Sequence, residues 1–176
     1  MLETQTRYCP YNNWPADMKS VSVPDFIPES IAVRLDQARA EGSRVHLAIM
    51  NEPYLSALVS GEKTVESRFS RKRIDPWMHV SENDLVLFAR SGGAIAGSFF
   101  VEKAMYFDLT MDRISKLQTY SRQICSWLSP TFWEERVDAR FATLLSVADV
   151  ETCVQFRLRK RDQRAWITFD WSVGLF

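Results

Sequence analysis

The residues best suited to chemistry lie in segment 61–68, which reads Gly-Glu-Lys-Thr-Val-Glu-Ser-Arg. If this segment enters a strand, Thr64, Glu66 and Arg68 share one face, because side chains alternate along a strand. Lys63 precedes them at the turn. An amine, a carboxylate and a guanidinium on one face can bind phosphates and base edges, or shift one another's pKa values for acid–base catalysis. The alternative is a Glu66–Arg68 ion pair on a solvated face, worth only ~0–1 kcal/mol.

The elements that position this segment are a short helix before it and a strand within it. Pro53 begins an apolar helix that ends near Gly61. On the strand, Val65 and Phe69 point away from Glu66 and are predicted to enter the core. Apolar runs predict six strands, at residues 44–50, 64–69, 84–90, 94–107, 141–158 and 165–170.

The length and element order indicate one α+β domain. The chain has 176 residues, about the size of a single domain. Its strands do not alternate strictly with helices, which favours a small mixed or antiparallel β-barrel over a doubly wound sheet. We expect residues 1–43 to be an N-terminal extension with one helix, at 28–42. Residues 44–176 are expected to be the barrel domain, with a helical insertion at about 110–140.

Residues 44–107 resemble an ASCH domain of the PUA-like superfamily. The mark of that family is a G-x-K-x-x-E-x-R motif after the first helix, and Gly61, Lys63, Glu66 and Arg68 match it at all four positions. The resemblance implies a small PUA-like β-barrel with flanking helices and a cleft at the motif. It also implies RNA binding or nucleotide binding, and in some family members ribonuclease activity or deacylation of N4-acetylcytidine.

The resemblance to the deacylases is partial. Their catalytic lysine corresponds to Lys63, but their threonine nucleophile falls on Glu66, and a carboxylate does not replace a hydroxyl nucleophile without changing the chemistry. Thr64 is a nearby hydroxyl on the same strand face. The resemblance to the deacylases also implies a glutamate on a later strand, which Glu102 matches. If the chain is an enzyme, Lys63 and Glu66 are the expected catalytic pair, with Thr64 and Glu102 as further candidates.

Two basic stretches favour an anionic ligand. Residues 61–73 carry five basic and two acidic side chains, and residues 157–164 carry five and one. The net charge of the whole chain is zero, which excludes a generic polyanion-coating protein but not a local basic groove. Trp77 follows the first stretch and could stack on a base, whereas Trp166 is expected in the core. The candidate ligand-binding residues are Lys63, Thr64, Glu66, Arg68, Arg71, Arg73, Trp77 and Arg159.

Cysteine and histidine usage argues against a metal site. Cys9, Cys125 and Cys153 have no C-x-x-C spacing, and the chain has two histidines. His46 sits in an apolar strand and is expected to be a hydrogen-bonded core residue, whereas His79 is expected in a surface loop. We therefore predict a cytoplasmic protein with no metal, no cofactor and no membrane span.

Three functions are compatible with these residues. The first is a module that binds RNA or a nucleotide-like ligand in the motif cleft. The second is a hydrolase in the same cleft, either a metal-independent ribonuclease or an amidohydrolase of a modified nucleoside such as N4-acetylcytidine. The third is a regulatory domain whose extension and helical insertion contact a protein partner.

Overall fold

The computed structural model describes residues 21–22, 27–111, 114–157, 159–160 and 164–169. Much of the expected N-terminal extension, residues 1–20 and 23–26, lies outside the described residues. The strands are β1 Val21–Ser22, β2 Val45–Met50, β3 Val65–Ser70, β4 Leu85–Arg90, β5 Ile95–Asp108, β6 Phe141–Phe156, β7 Arg159–Lys160 and β8 Trp166–Phe169. The helices are α1 Glu29–Ala40 and α2 Tyr54–Val59, with short 3₁₀ helices at Ile114–Tyr120, Ser126–Leu128 and Glu134–Arg136. Within the described ranges, no helix is long and apolar enough to cross a membrane.

Six strands form one mixed sheet in the order β3-β6-β5-β4-β2-β8, and they are the six strands that the apolar runs predict. β2 and β4 pair in parallel, and the other neighbours in this sheet are antiparallel. The sheet curls into a half-barrel with β3 and β8 at its two edges. The predicted α+β, PUA-like fold class is confirmed. β1 and β7 form a separate two-stranded pair.

One face of the sheet is covered by α1. The helix presents Ile31 and Leu35 one turn apart, which is the spacing of a single helix face. They pack with Leu85 and Leu87 of β4 in one buried cluster. α1 ends at Ala40, and Gly42 follows two residues later with a φ of +68°, a conformation that glycine favours and that closes the helix C-terminus. The chain then enters β2 in the middle of the sheet.

The opposite face of β4 packs against α2. Val86 and Phe88 alternate with the residues that face α1, as the strand period requires. They lie in a second cluster with Leu55 and Leu58 of α2 and with Trp166 of β8. Because β4 is covered on both faces, it is a continuous apolar run rather than an alternating one. α2 is thereby fixed directly before the motif segment.

β5 and β6 are long strands of 14 and 16 residues that bend together. Their pairing shifts register at three places, between Ile95 and Gly97, between Ser98 and Phe100 and between Val101 and Lys103. Such bulges bend strands and increase their twist. Gly97 lies where β6 leaves no room for a side chain, since an added Cβ would be 2.2 Å from the Glu151 carbonyl oxygen.

The segment expected to be a helical insertion is built from 3₁₀ helices and turns. Leu117, Ile124 and Phe132 point from it into a third buried cluster, with Val65 of β3 and Leu144 of β6. This block therefore covers the β3 end of the sheet. Its apolar residues anchor it there, so that its polar residues meet the outer edge of β3.

Candidate functional site

Lys63 is positioned by the end of α2. Gly61 has a φ of +77° and donates its N–H to the Leu58 carbonyl at 3.1 Å. This left-handed residue reverses the chain, so that the Lys63 N–H donates to the Ala57 carbonyl at 2.9 Å. The glycine of the motif is thus needed for a backbone conformation that brings Lys63 against the start of β3.

Glu66 and Arg68 are positioned by β3, which pairs with β6 at Leu145 and Thr143 respectively. The Lys63 Nζ donates a hydrogen bond to Glu66 Oε2. The Arg68 Nε lies 2.7 Å from Glu66 Oε1, an ion pair whose N–H is not aligned well enough for a hydrogen bond. Lys63 is 3% exposed and Glu66 is 4% exposed, so the centre of this cluster is dry.

The charges of the cluster keep Glu66 ionised. Burial by itself raises the pKa of Glu66, but the positive charges of Lys63 and Arg68 outweigh burial and hold that pKa below its ordinary value. Two cations share one carboxylate in these contacts, so the cluster itself carries one excess positive charge. A buried excess charge favours an anion or strong hydrogen-bond acceptor nearby.

Arg68 connects the two edges of the half-barrel. Its Nη2 donates to the Ile49 carbonyl of β2 at 3.0 Å, and its Nη1 lies 3.4 Å from the Ala165 carbonyl just before β8. Its guanidinium carbon also lies 5.1 Å from the centre of the Trp166 ring, a cation–π distance. These contacts fix the plane of the guanidinium before any ligand arrives.

The cluster forms one wall of a cleft of about 380 Å³, which we call the inner cleft. The cleft lies between β3 and the end of β2, and the 3₁₀ block contributes its outer wall. Its polar lining combines the charged residues of the motif with a tyrosine, two serines, an asparagine, two further glutamates and a further arginine. The charged and hydroxyl-bearing lining residues are Glu52, Tyr54, Lys63, Glu66, Ser67, Arg68, Ser129, Glu135 and Arg136.

A second cleft of about 420 Å³, the outer cleft, lies farther along β3. It shares Ser67, Arg68, Glu135 and Arg136 with the inner cleft. Its remaining lining is Phe69, Ser70, Arg71, Asp138 and Ala139. The two clefts are therefore adjoining parts of one groove along the edge strand.

The other candidate catalytic residues lie apart from this wall. Thr64 is exposed, and its N–H donates to the Gln123 carbonyl at 3.0 Å. Glu102 is exposed on β5 and lines neither cleft. Of the four residues named for catalysis, the structure brings Lys63 and Glu66 together.

The basic and aromatic candidates are spread along one side of the groove and beyond it. Arg71 lines the outer cleft and pairs with Asp138 at 2.6 Å. Arg73 lies over the Phe141 ring at 5.3 Å, and Trp77 is half-buried with its ring 4.9 Å from the same ring. Neither of these two residues lines the inner or the outer cleft. The backbone of Arg159 is in β7, and its side chain lies outside the described part of the chain.

Tyr54 and Arg136 are two of the cleft residues that were not singled out from the sequence. The Tyr54 hydroxyl is buried and makes no hydrogen bond within the described residues. Burial raises the pKa of Tyr54, while the positive charge of Arg136 partly opposes that shift. Arg136 lines both clefts, and its guanidinium carbon lies 3.7 Å from the centre of the Phe132 ring. Arg136 belongs to the segment Glu-Glu-Arg, whose charge pattern resembles any solvated helix face, so the sequence carries no signal for it.

The two histidines lie outside the groove. His46 is fully buried and bonded on both ring nitrogens, to Asp84 at 3.0 Å and Thr168 at 3.1 Å, as expected of a core histidine. Burial lowers the pKa of His46 although Asp84 opposes the shift. His79 is exposed in a loop and pairs with Asp75. In the described ranges, no group of three or more His, Cys, Asp or Glu side chains could hold a metal ion.

Comparison with known proteins agrees with this architecture, an α+β half-barrel of the PUA-like class. The ASCH domain model matches residues 49–158. The chain therefore belongs to the ASCH domain family. No curated protein sequence matches it significantly.

Solved structures with this fold include ASCH proteins from Zymomonas mobilis. A serine-to-alanine variant of that protein is 18% identical, with a TM-score of 0.51 over 65% of this chain and 75% of that one. The unmodified Zymomonas mobilis protein is also 18% identical, with a TM-score of 0.49 over 63% of this chain and 71% of that one. At this identity the likeness concerns the fold.

Proposed function

We propose that the protein binds RNA or a nucleotide-like ligand in the inner cleft, beside Lys63, Glu66 and Arg68. The observation that carries this proposal is the buried cluster in which two cations share one carboxylate. Its excess positive charge is desolvated, so an approaching phosphate would gain charge-assisted hydrogen bonds that are stronger than those in water. Membership of the ASCH family supports the same ligand class.

Several features of the cleft suit a nucleotide rather than a simple anion. Glu66 is ionised and can accept a hydrogen bond from a base amine. Tyr54 brings a buried hydroxyl without a partner, which a ligand can satisfy. Arg68 and Arg136 each lie over an aromatic ring and line the cleft, and guanidinium planes can stack on bases.

The lowered pKa of Glu66 argues against a general-acid role for this residue under the hydrolase hypothesis. A general acid must carry a proton near neutral pH, and the two neighbouring cations hold Glu66 in its ionised form. Lys63 donates to Glu66 and so is engaged as a positioned cation. We therefore expect slow cleavage of RNA at most, and no rapid turnover of N4-acetylcytidine.

The test is the affinity of the protein for a fluorescent ten-nucleotide single-stranded RNA, measured by anisotropy at low salt. Lys63→Met removes the excess charge and leaves the Glu66–Arg68 pair. We expect affinity to fall about 10- to 100-fold, the loss of one charge-assisted hydrogen bond of ~1.5–3 kcal/mol. Lys103→Met is the matched control, because Lys103 is exposed on β5 and lines neither cleft.

The salt dependence and the fate of the RNA complete this test. Affinity should fall as salt rises, with a slope of about 0.7 per phosphate contact. Absent binding by the native protein, or equal binding by Lys63→Met and Lys103→Met, would reject the proposal. Rapid RNA cleavage that disappears in Lys63→Met would replace it with the hydrolase hypothesis.

A further inference from the structure

The groove continues past the motif cluster into the outer cleft. The inner and outer clefts have volumes of about 380 and 420 Å³, each near the lower end of the ~300–1,000 Å³ typical of small-ligand sites. One nucleotide fills a site of that class. A ligand limited to the inner cleft would leave the equally large outer cleft unused.

We propose that the groove takes two consecutive nucleotides of a single-stranded RNA, one in each cleft, with their linking phosphate between Arg68 and Arg136. This proposal rests on the proposed function and extends it from the ligand class to the number of units bound. Arg68 and Arg136 are the cations that line both clefts in the described residues. In a dinucleotide the linking phosphate lies between the two nucleosides. With one nucleoside in each cleft, that phosphate would lie at the boundary of the clefts, beside these two arginines.

Both arginines are held in place without a ligand. Arg136 Nη1 donates to the Phe132 carbonyl at 2.6 Å, and the guanidinium rests against the Phe132 ring. The Glu135 carboxylate, 3.3 Å from Arg136, is exposed, so this ion pair is weak. Arg68 is fixed by the carbonyls of Ile49 and Ala165. A guanidinium has five N–H donors, so each arginine keeps donors for a phosphate.

The outer cleft has its own exchangeable cation. Arg71 pairs with Asp138 at 2.6 Å, and their side chains are 73% and 68% exposed. An exposed pair of this kind contributes little to stability, so a phosphate can take the place of Asp138 at small cost. Arg71 therefore acts as the contact for the phosphate of the outer nucleotide, and Asp138 competes with that phosphate.

The test compares uridine 3′-monophosphate with diuridylates that carry a 5′- or a 3′-terminal phosphate, by isothermal titration calorimetry. The better diuridylate should bind at least tenfold more tightly than the mononucleotide. Arg71→Ala should weaken the diuridylate at least fivefold and change the mononucleotide less than twofold. Asp138→Asn should strengthen the diuridylate about twofold or more. Arg122→Ala is the control, since Arg122 is exposed and lines neither cleft.

The outcomes separate this inference from the proposed function. Equal affinities for mononucleotide and diuridylate, or an Arg71→Ala effect of the same size on both, would overturn the two-nucleotide groove and leave binding in the inner cleft intact. If no probe binds, both proposals are overturned. Tighter diuridylate binding that depends on Arg71 supports both.

Discussion

Replacing Glu66 with glutamine perturbs the centre of the cleft most directly. Glu66 and Lys63 are 4% and 3% exposed, and Glu66 is the carboxylate that Lys63 and Arg68 share. Glu66→Gln keeps the volume but leaves Lys63 buried as a cation without a counter-ion. Breaking a buried pair in this way costs about 3–5 kcal/mol of unfolding free energy. For a chain of this size that corresponds to a fall in Tm of roughly 6–20 °C.

The pH dependence of this loss has a defined sign. The pKa of Glu66 is lower in the folded protein than its ordinary value of 4.5, so the ionised form stabilises the fold. That stabilisation is complete above pH 4.5 and is lost as pH falls through the lower pKa of the folded state. The difference in stability between native protein and Glu66→Gln should therefore be largest near neutral pH and shrink in acid.

Urea unfolding followed by tryptophan fluorescence measures both effects. The control is Glu62→Gln, the same change at an exposed neighbour, which should stay within about 0.5 kcal/mol of the native protein. The double variant Lys63→Met with Glu66→Gln also removes the stranded cation and should recover about 2 kcal/mol or more relative to Glu66→Gln. A cost below about 1 kcal/mol for Glu66→Gln at pH 7, or a double variant no more stable than the single one, would refute this account of the cluster.

Two further predictions concern the sheet and a thiol. Gly97→Ala should lower the urea-unfolding free energy by about 1–3 kcal/mol or more. The reason is that the added Cβ would lie 2.2 Å from the Glu151 carbonyl oxygen and 2.5 Å from the Phe88 ring. An unchanged urea midpoint of unfolding would contradict that close approach. Burial raises the pKa of Cys153 to about 11, so at pH 8 about one Cys153 thiol in a thousand is ionised. Alkylation of Cys153 by iodoacetamide, followed by mass spectrometry, should therefore be much slower in the folded protein than after unfolding in urea.

The strands were predictable because their signals are local. Each of the six sheet strands has an apolar run or an apolar–polar alternation that matches its burial in the structure. β4, for example, is an apolar run and is buried from Leu85 to Ala89. The 3₁₀ block was harder, because spaced apolar residues such as Leu117 and Ile124 also suit an α-helix. Cys125, between them and Phe132, has a φ of +57°. A residue with a left-handed backbone conformation interrupts a helix. Non-glycine residues adopt that conformation rarely, so the sequence does not predict it at a cysteine.

Some features of the candidate site could be predicted from the local sequence, and others depend on segments that are distant along the chain. The strand period places Glu66 and Arg68 on one face, as their spacing indicates. The burial of Lys63 and Glu66 has no local signal, because it depends on the 3₁₀ block, more than fifty residues along the chain, covering that end of the sheet. Tyr54 and Arg136 line the same cleft from two separate elements. A single sequence does not predict that these two residues lie close together.

The position of Arg68 explains why the cleft lies at the open edge of the half-barrel. β3 and β8 end the six-stranded sheet, and the Arg68 side chain reaches from β3 to carbonyls of β2 and of the residue before β8. A planar guanidinium can make these contacts and still face an anion, whereas a lysine amine has three donors on one atom. The residue that joins the sheet edges thus also lines the cleft in which we propose that the ligand binds. If the proposed ligand binds there, binding and closure of the half-barrel depend on the same side chain, and the ligand's phosphate adds to the Arg68 contact that already holds β3 against β2.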